Sequence, residues 1–133
     1  MEHNTILGKL HNKGFTLIEL LLVLTLVAML AGLAVPIVSK SIQRAKGSTL
    51  KEDLFVMRKT INDFYTDHAR YPNTLEELVD EGYIRAIPVD PLTERYDTWL
   101  LDRTTNGEQG DGIVDVRSGY QGVASDGSRY DEW

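Results

Sequence analysis

Residues 20–38 read LLLVLTLVAMLAGLAVPIV, nineteen consecutive residues without a charged side chain. A helix needs about 20 predominantly apolar residues to cross the hydrocarbon core of a bilayer. A cleaved secretory signal is the alternative, but its apolar region has only about 7 to 15 residues and ends at a small-residue cleavage site. The run in this chain is longer and merges into a helical pattern, so it favours a membrane helix that is retained.

The helical pattern continues beyond this apolar run. Apolar residues recur in steps of four and three, at Leu50, Leu54, Met57, Ile61 and Phe64. These steps place them on one face of a helix, with charged residues on the opposite face. A single helix is therefore predicted from about Phe15 to about residue 68. Tyr71-Pro72 ends it, because the residue before a proline is disfavoured in the helical conformation.

The remainder of the chain predicts one short helix and a small sheet. The helix covers residues 74–81 and begins with a capping box formed by Thr74 and Glu77. Strands are predicted at 96–101, 112–117 and 121–125, separated by turns at Asn106-Gly107, Ser118-Gly119 and Asp126-Gly127. The expected fold class is α+β, in which a long amino-terminal helix packs on a small antiparallel sheet within residues 96–125.

Composition and charge exclude several classes of function. The chain has 14 Lys+Arg and 20 Asp+Glu, a formal net charge of −6, whereas a general nucleic-acid binder needs clustered cations. Residues 40–59 contain six Lys+Arg and two Asp+Glu, a net charge of +4. Residues 60–133 contain six Lys+Arg and sixteen Asp+Glu, a net charge of −10.

Cysteine and several motifs typical of enzyme sites are missing from the sequence. With no cysteine there is no disulfide or thiolate site. No phosphate-binding glycine loop, His-Glu-x-x-His pair or nucleophile elbow occurs, so the chain is not expected to be an enzyme.

Glu19 is the one carboxylate at the start of the apolar run, with Ile18 and Leu20 beside it. One interpretation is a glutamate in the membrane interface near the amino end of the helix, where the helix dipole favours negative charge. The other is a carboxylate inside the hydrophobic segment, where an unpaired charge is costly enough that a partner is expected.

The segment from Lys13 to Leu21, KGFTLIELL, resembles the signature of type IV pilins and of the pseudopilins of type II secretion. In that signature a short basic leader ends in glycine and is followed by phenylalanine and, at the fifth mature position, glutamate. The resemblance implies that a prepilin peptidase cleaves between Gly14 and Phe15 and methylates the new amino group of Phe15. Removal of 14 of the 133 residues leaves 119. The implied organisation is a leader at 1–14, a transmembrane and assembly helix at 15–38 and a head at 39–133.

Cleavage would also create a partner for Glu19. The new ammonium group of Phe15 lies one helical turn away, and in a filament the ammonium of a neighbouring subunit could take the same place, which the resemblance favours. A buried pair of this kind suits a polymer in which each subunit enters at one axial position. Pro36 interrupts the helix pattern and predicts a kink or a local opening, since proline lacks the amide hydrogen.

The head resembles the major pseudopilins of type II secretion. Three groups of residues carry this resemblance, in the order Tyr71-Pro72, Gly82-Tyr83-Ile84 and Pro88-Val89-Asp90-Pro91. It implies a subunit of a periplasmic pseudopilus that exports folded proteins. The implied partners are other copies of this chain, minor pseudopilins, the prepilin peptidase and an inner-membrane assembly platform. A type IV pilus subunit is the near alternative. A membrane-tethered binding or sensor domain is the distant one, and it predicts neither cleavage nor a polymer.

The resemblance also implies the topology, a single pass through the bacterial inner membrane with the head in the periplasm. Counting basic residues does not decide this, because the leader carries two and Lys40 to Lys46 carries three.

A calcium ion is the only cofactor that the resemblance suggests. Major pseudopilins bind calcium in the loop before their last residues, and Asp126 and Asp131 are the candidate ligands here. The loop is shorter than in the family and is interrupted by Arg129. The alternative is an Asp-Gly turn with solvated acids, since calcium requires about six to eight oxygen ligands.

Overall fold

The computed structural model describes residues 13–104 and 111–133. Its elements are α1 (Leu17–His68), α2 (Leu75–Asp80), β1 (Leu100–Thr104), β2 (Gly112–Arg117) and a single turn of 3-10 helix (Tyr130–Glu132). The chain divides into two compact units, Met1–Val38 and Ser39–Trp133. We refer to them as the amino-terminal unit and the head.

The amino-terminal unit contains the beginning of α1. Thr16 caps the helix, since its side-chain oxygen accepts a hydrogen bond from the amide of Glu19 at 3.2 Å. The main-chain oxygen of Thr16 accepts from the amide of Leu20 at 3.1 Å. A threonine at this position satisfies an amide that would otherwise lack a partner, so α1 starts at Leu17, two residues later than predicted.

Pro36 lies inside α1, and the helix continues through it to His68. The sequence predicts a kink or a local opening at this proline. The helix of the single subunit is not opened there, and the kink stays a prediction. Proline removes one hydrogen bond but leaves those on either side, which allows the helix to continue.

The head has one hydrophobic core, built on the second half of α1. The predicted apolar face is confirmed, since its five members are at most 2% exposed: Leu50, Leu54, Met57, Ile61 and Phe64. The same core receives buried side chains from α2, β2 and the segments around them, namely Leu75, Leu78, Trp99, Ile113, Val116 and Tyr130. The α+β prediction is therefore confirmed, with helix and sheet sharing one core.

The short helix α2 follows its predicted capping closely. The side-chain oxygen of Thr74 accepts from the amide of Glu77 at 3.2 Å, and Glu77 Oε2 accepts from the amide of Asn73 at 2.7 Å. Gly82, with φ +79°, ends the helix, and its amide donates to the carbonyl of Val79. A residue in the left-handed region is the usual way to terminate a helix, and glycine adopts it without strain.

In the described residues the sheet has two antiparallel strands, which corrects the prediction of three within residues 96–125. The first strand occupies 100–104 instead of 96–101, because the chain before it turns at Asp90, whose carboxyl accepts from the amides of Leu92 and Thr93. Residues 121–125 form no strand. They fold back through the Asp126-Gly127 turn, leaving only an isolated bridge between Val123 and Arg129. The predicted Asn106-Gly107 turn lies outside the described residues.

Candidate assembly site and carboxyl-terminal loop

The beginning of α1 presents an entirely exposed apolar surface. Every residue from 13 to 38 is exposed in the isolated subunit, including Phe15 at 89% and Leu17 at 83%. In the described part of the chain, α1 is the one helix long and apolar enough to cross a membrane. A soluble monomer rarely exposes a continuous apolar surface of this size, so lipid, another protein or both must cover it.

Glu19 lies in the first turn of this surface. It is the third residue of α1, and no ion pair involves it among residues 13–104 and 111–133. The location at the amino end of the helix agrees with the dipole interpretation, but the dipole does not replace the solvation lost in a membrane or filament. Within the described part of the chain, this carboxylate therefore has no ion-pair partner and lies on an apolar face.

Thr16 is a residue that the sequence reasoning missed. Its spacing to Glu19, Thr-x-x-Glu, is the same capping pattern that correctly predicted the start of α2. The capping pattern was therefore present in the sequence, but it lies among apolar residues that were interpreted only as part of the membrane helix. Thr16 fixes the start of the helix and with it the position of Glu19.

The predicted cleavage site also lies in this segment. Gly14 and Phe15 are exposed, and among the described residues, apart from its chain neighbours, no atom lies within 4 Å of the position that a side chain on Gly14 would occupy. In the uncut chain the nitrogen of Phe15 is an amide and carries no charge. The ammonium partner proposed for Glu19 exists only after cleavage. The pairing of Glu19 therefore depends on processing.

The two predicted calcium ligands both have other partners. Asp126 Oδ1 accepts from the amide of Ser128 at 3.0 Å and from its hydroxyl at 2.6 Å, and these bonds, the hydroxyl first, lower the pKa of Asp126. The Arg129 guanidinium donates to both carboxyl oxygens of Asp131, at 2.9 and 2.7 Å, and lowers the pKa of Asp131. Asp126 thus forms an Asx turn with Ser128.

The surroundings do not add the oxygen ligands that calcium needs. The carbonyls of Gly122 and Ala124 accept from the amides of Tyr130 and Gly127. Within the described residues no group of three or more His, Cys, Asp or Glu side chains is placed to hold a metal ion. A cation with six to eight oxygen ligands does not fit this donor set as it is arranged, because Arg129 already carries the positive charge beside Asp131.

An exposed apolar helix with one carboxylate near its start, continuing in the same α-helix into an α+β head, defines a pilin-like subunit. The comparison with known families agrees. Residues 9–35 match the prokaryotic N-terminal methylation motif, a range that includes Gly14, Phe15 and Glu19.

Curated relatives narrow the class. The chain is 32% identical to the type II secretion system core protein G of Pseudomonas aeruginosa, over 62% of this chain and 70% of that protein. It is 29% identical to the core protein G of Klebsiella pneumoniae, over 91% of this chain and 94% of that protein. It is 30% identical to the competence protein ComGC of Halalkalibacterium halodurans, over 56% of this chain and 72% of that protein. No solved structure matches. The chain belongs to the type IV pilin-like family, in the group of the type II secretion system core protein G.

Proposed function

We propose that this chain is the major structural subunit of a type II secretion pseudopilus, a filament that grows in the periplasm and drives folded proteins out of the cell. One observation carries the proposal. The first half of α1 is apolar and exposed, and it bears Glu19 four residues after Phe15 of the predicted Gly14-Phe15 cleavage site. The family membership supports the same function.

The apolar surface explains both a membrane-bound and an assembled state. Lipid covers it before assembly, and the same helices of neighbouring subunits cover it afterwards. Contacts between two different faces of identical subunits produce an open helical polymer when their rotation does not close a ring. The role is mechanical, and no step requires a catalytic group on this chain.

Processing supplies the charge that directs assembly. A prepilin peptidase would remove residues 1–14 on the cytoplasmic side and methylate Phe15, placing an ammonium group within reach of a neighbouring Glu19 carboxylate. An inner-membrane assembly platform would add subunits to the filament, and minor pseudopilins would be further partners. The head would lie in the periplasm.

Replacement of Glu19 tests assembly. Glu19→Gln preserves the shape and removes the charge, so subunits should insert in the membrane and fold while filament yield falls by at least about tenfold. The measurement is the amount of sheared filament from cells that overexpress the chain with a complete secretion system. Thr25→Val is the matched control, because it removes another polar group from the same helix, one whose hydroxyl bonds only to the Leu21 carbonyl in the described structure.

Normal filament yield from Glu19→Gln would contradict the assembly role of the carboxylate. An equal loss in Thr25→Val would show that any change in this helix blocks assembly, and the specific role of Glu19 would then be wrong.

A competence pilus is the second candidate, favoured by the similarity to ComGC. Deletion of the gene separates the two. Loss of protein secretion with normal DNA uptake supports the pseudopilus, and the reverse result supports the competence pilus.

A further inference from the structure

Two arginines, Arg58 and Arg117, hold the last thirteen residues of the chain to the rest of the head, and a third, Arg129, forms an ion pair within those residues. We refer to residues 121–133 as the tail. Arg117 on β2 donates to both carboxyl oxygens of Asp102 on β1, at 3.0 and 2.8 Å, and to the main-chain oxygen of Asp131 in the tail at 3.0 Å. This one guanidinium therefore connects both strands to the tail.

Arg58 makes a second connection, from α1. Its Nε donates to Asp115 Oδ1 at 2.6 Å, and its Nη2 donates to the main-chain oxygens of Val116 at 3.1 Å and Trp133 at 2.7 Å. The side chain is about one-third exposed. Helix, second strand and tail thus meet at a single cation.

Arg129 is the third arginine and lies within the tail. Its two bonds to the Asp131 carboxyl neutralise one of the two predicted calcium ligands, whose side chain is only 17% exposed. The bonds of Arg117 and Arg129 meet at Asp131, one at its main-chain oxygen and the other at its carboxyl group. The main-chain oxygen and both carboxyl oxygens of Asp131 are therefore already bound to guanidinium donors.

The chemistry of the guanidinium group suits this task. It carries a permanent positive charge and five donors in a rigid plane, so it binds a carboxylate and main-chain oxygens at the same time. A calcium ion would connect a loop to a sheet through the same two kinds of oxygen.

We propose that Arg58, Arg117 and Arg129 take the place of a calcium ion in this head and make its folding independent of calcium. The tail is then held by covalently attached cations, which neither dissociate nor depend on the calcium concentration outside the cytoplasm.

The aromatic end of the tail provides the signal for a test. The chain has two tryptophans, Trp99 and Trp133, and both lie in the head. Trp133 contacts the ring of Tyr130 at a centroid distance of 4.7 Å, and its indole nitrogen donates to Ser128 Oγ at 2.7 Å. Near-ultraviolet circular dichroism of the full chain in detergent therefore reports on unfolding of the head.

The experiment compares Tm in millimolar calcium and in chelator at fixed ionic strength. The proposal predicts a difference below about 1 °C, whereas saturating calcium at a specific site would raise Tm by roughly 10 °C. Arg58→Gln and Arg117→Gln should each lower Tm by about 5 to 10 °C, because charge-assisted bonds to the tail are lost.

Arg95→Gln is the matched control. Arg95 pairs with Asp97 at the same spacing and with the same two-bond geometry as Arg129 and Asp131, but both side chains are about half exposed or more, and their hydrogen bonds to each other do not involve the tail. Its Tm should remain within about 2 °C of the native value, as expected for a surface ion pair.

A milder variant covers the case in which Arg58→Gln does not fold. Arg58→Lys keeps the charge and the apolar stem but not the fork of donors. Its Tyr130 amide, which donates to the Gly122 carbonyl, should exchange hydrogen at least about tenfold faster than in Arg95→Gln. A calcium-dependent rise in Tm that Asp131→Asn abolishes would overturn the proposal. Arg58 and Arg117 variants that melt and exchange like the native chain would overturn it too.

Discussion

Asp90 is a fully buried acid, and its carboxyl organises the turn that precedes the sheet. Oδ1 accepts from the amides of Leu92 and Thr93, at 2.8 and 3.3 Å, and Oδ2 accepts from the hydroxyl of Ser118 at 2.5 Å. Ser118 is buried as well, and its oxygen accepts from the amide of Tyr120 at 3.1 Å. The aspartate of the Pro-x-Asp-Pro segment thus connects two loops that are 28 residues apart in sequence.

Removal of this carboxyl should destabilise the head. Asp90→Ala leaves two amides and a buried hydroxyl without acceptors, which costs about 3 kcal/mol in the free energy of unfolding. Urea denaturation of the detergent-solubilised chain, followed by tryptophan fluorescence, measures the change. Asp80→Ala, at an exposed position, should change the free energy by less than about 0.5 kcal/mol. Equal stability of the two variants would contradict the structural role of Asp90.

At the level of elements, β2 lies directly against the chain that leaves α1. The amide of Ile113 donates to the carbonyl of Pro72 at 2.8 Å. A side chain on Gly112 would come within 2.9 Å of the main-chain carbon and oxygen of Tyr71. Glycine is therefore required where the second strand begins, because the two backbones approach too closely for a Cβ atom.

Gly112→Ala should consequently lower Tm of the head by about 5 °C or more, since the main chain of Tyr71 must move to admit the methyl group. Gly32→Ala is the control, because apart from its chain neighbours and the backbone of its own helix no described atom lies within 4 Å of the new Cβ, and alanine favours helix. Near-ultraviolet circular dichroism measures both. An unchanged Tm for Gly112→Ala would show that the two segments are not in contact as described.

The helices and the Asp126-Gly127 turn were predicted from sequence because their signals are local. The apolar face of α1 follows from steps of three and four, and the ends of α2 follow from Thr74 and Gly82. The strand predicted at 121–125 does not form, because pairing depends on a distant partner and the Asp126-Gly127 turn returns the chain to Arg129 instead. The contact of Arg58 with Asp115 spans 57 residues, and no periodicity could predict it.

For the whole molecule, acid should destabilise the head. Arg117 lowers the pKa of Asp102, and Arg129 lowers the pKa of Asp131, in each case chiefly through hydrogen bonds. A carboxyl whose pKa is lower in the folded state adds stability above its ordinary pKa near 3.8, and this stability is lost as the pH falls through the folded value. The contribution of Asp53 to stability has the opposite sign. Its pKa is raised, chiefly by burial and next by the nearby charge of Asp90.

In the described residues, more carboxyl groups have a lowered pKa than a raised one. Those with a lowered pKa are Glu77, Asp97, Asp102, Asp126 and Asp131. Tm should therefore be nearly constant between about pH 7 and 5 and should fall below about pH 4. Asp53→Asn should preserve the fall in acid and slightly raise Tm at pH 7. A Tm that rises on acidification from pH 5 to 3 would contradict this balance of charges.

The central claim is that this chain becomes an assembly subunit by cleavage between Gly14 and Phe15. The direct measurement is the intact mass of the protein purified from the membranes of cells with an active prepilin peptidase. We predict a mature chain of 119 residues that begins at Phe15 and carries one added methyl group, and a Gly14→Leu variant that keeps its leader. Native protein with residues 1–14 still attached in those cells would contradict the claim.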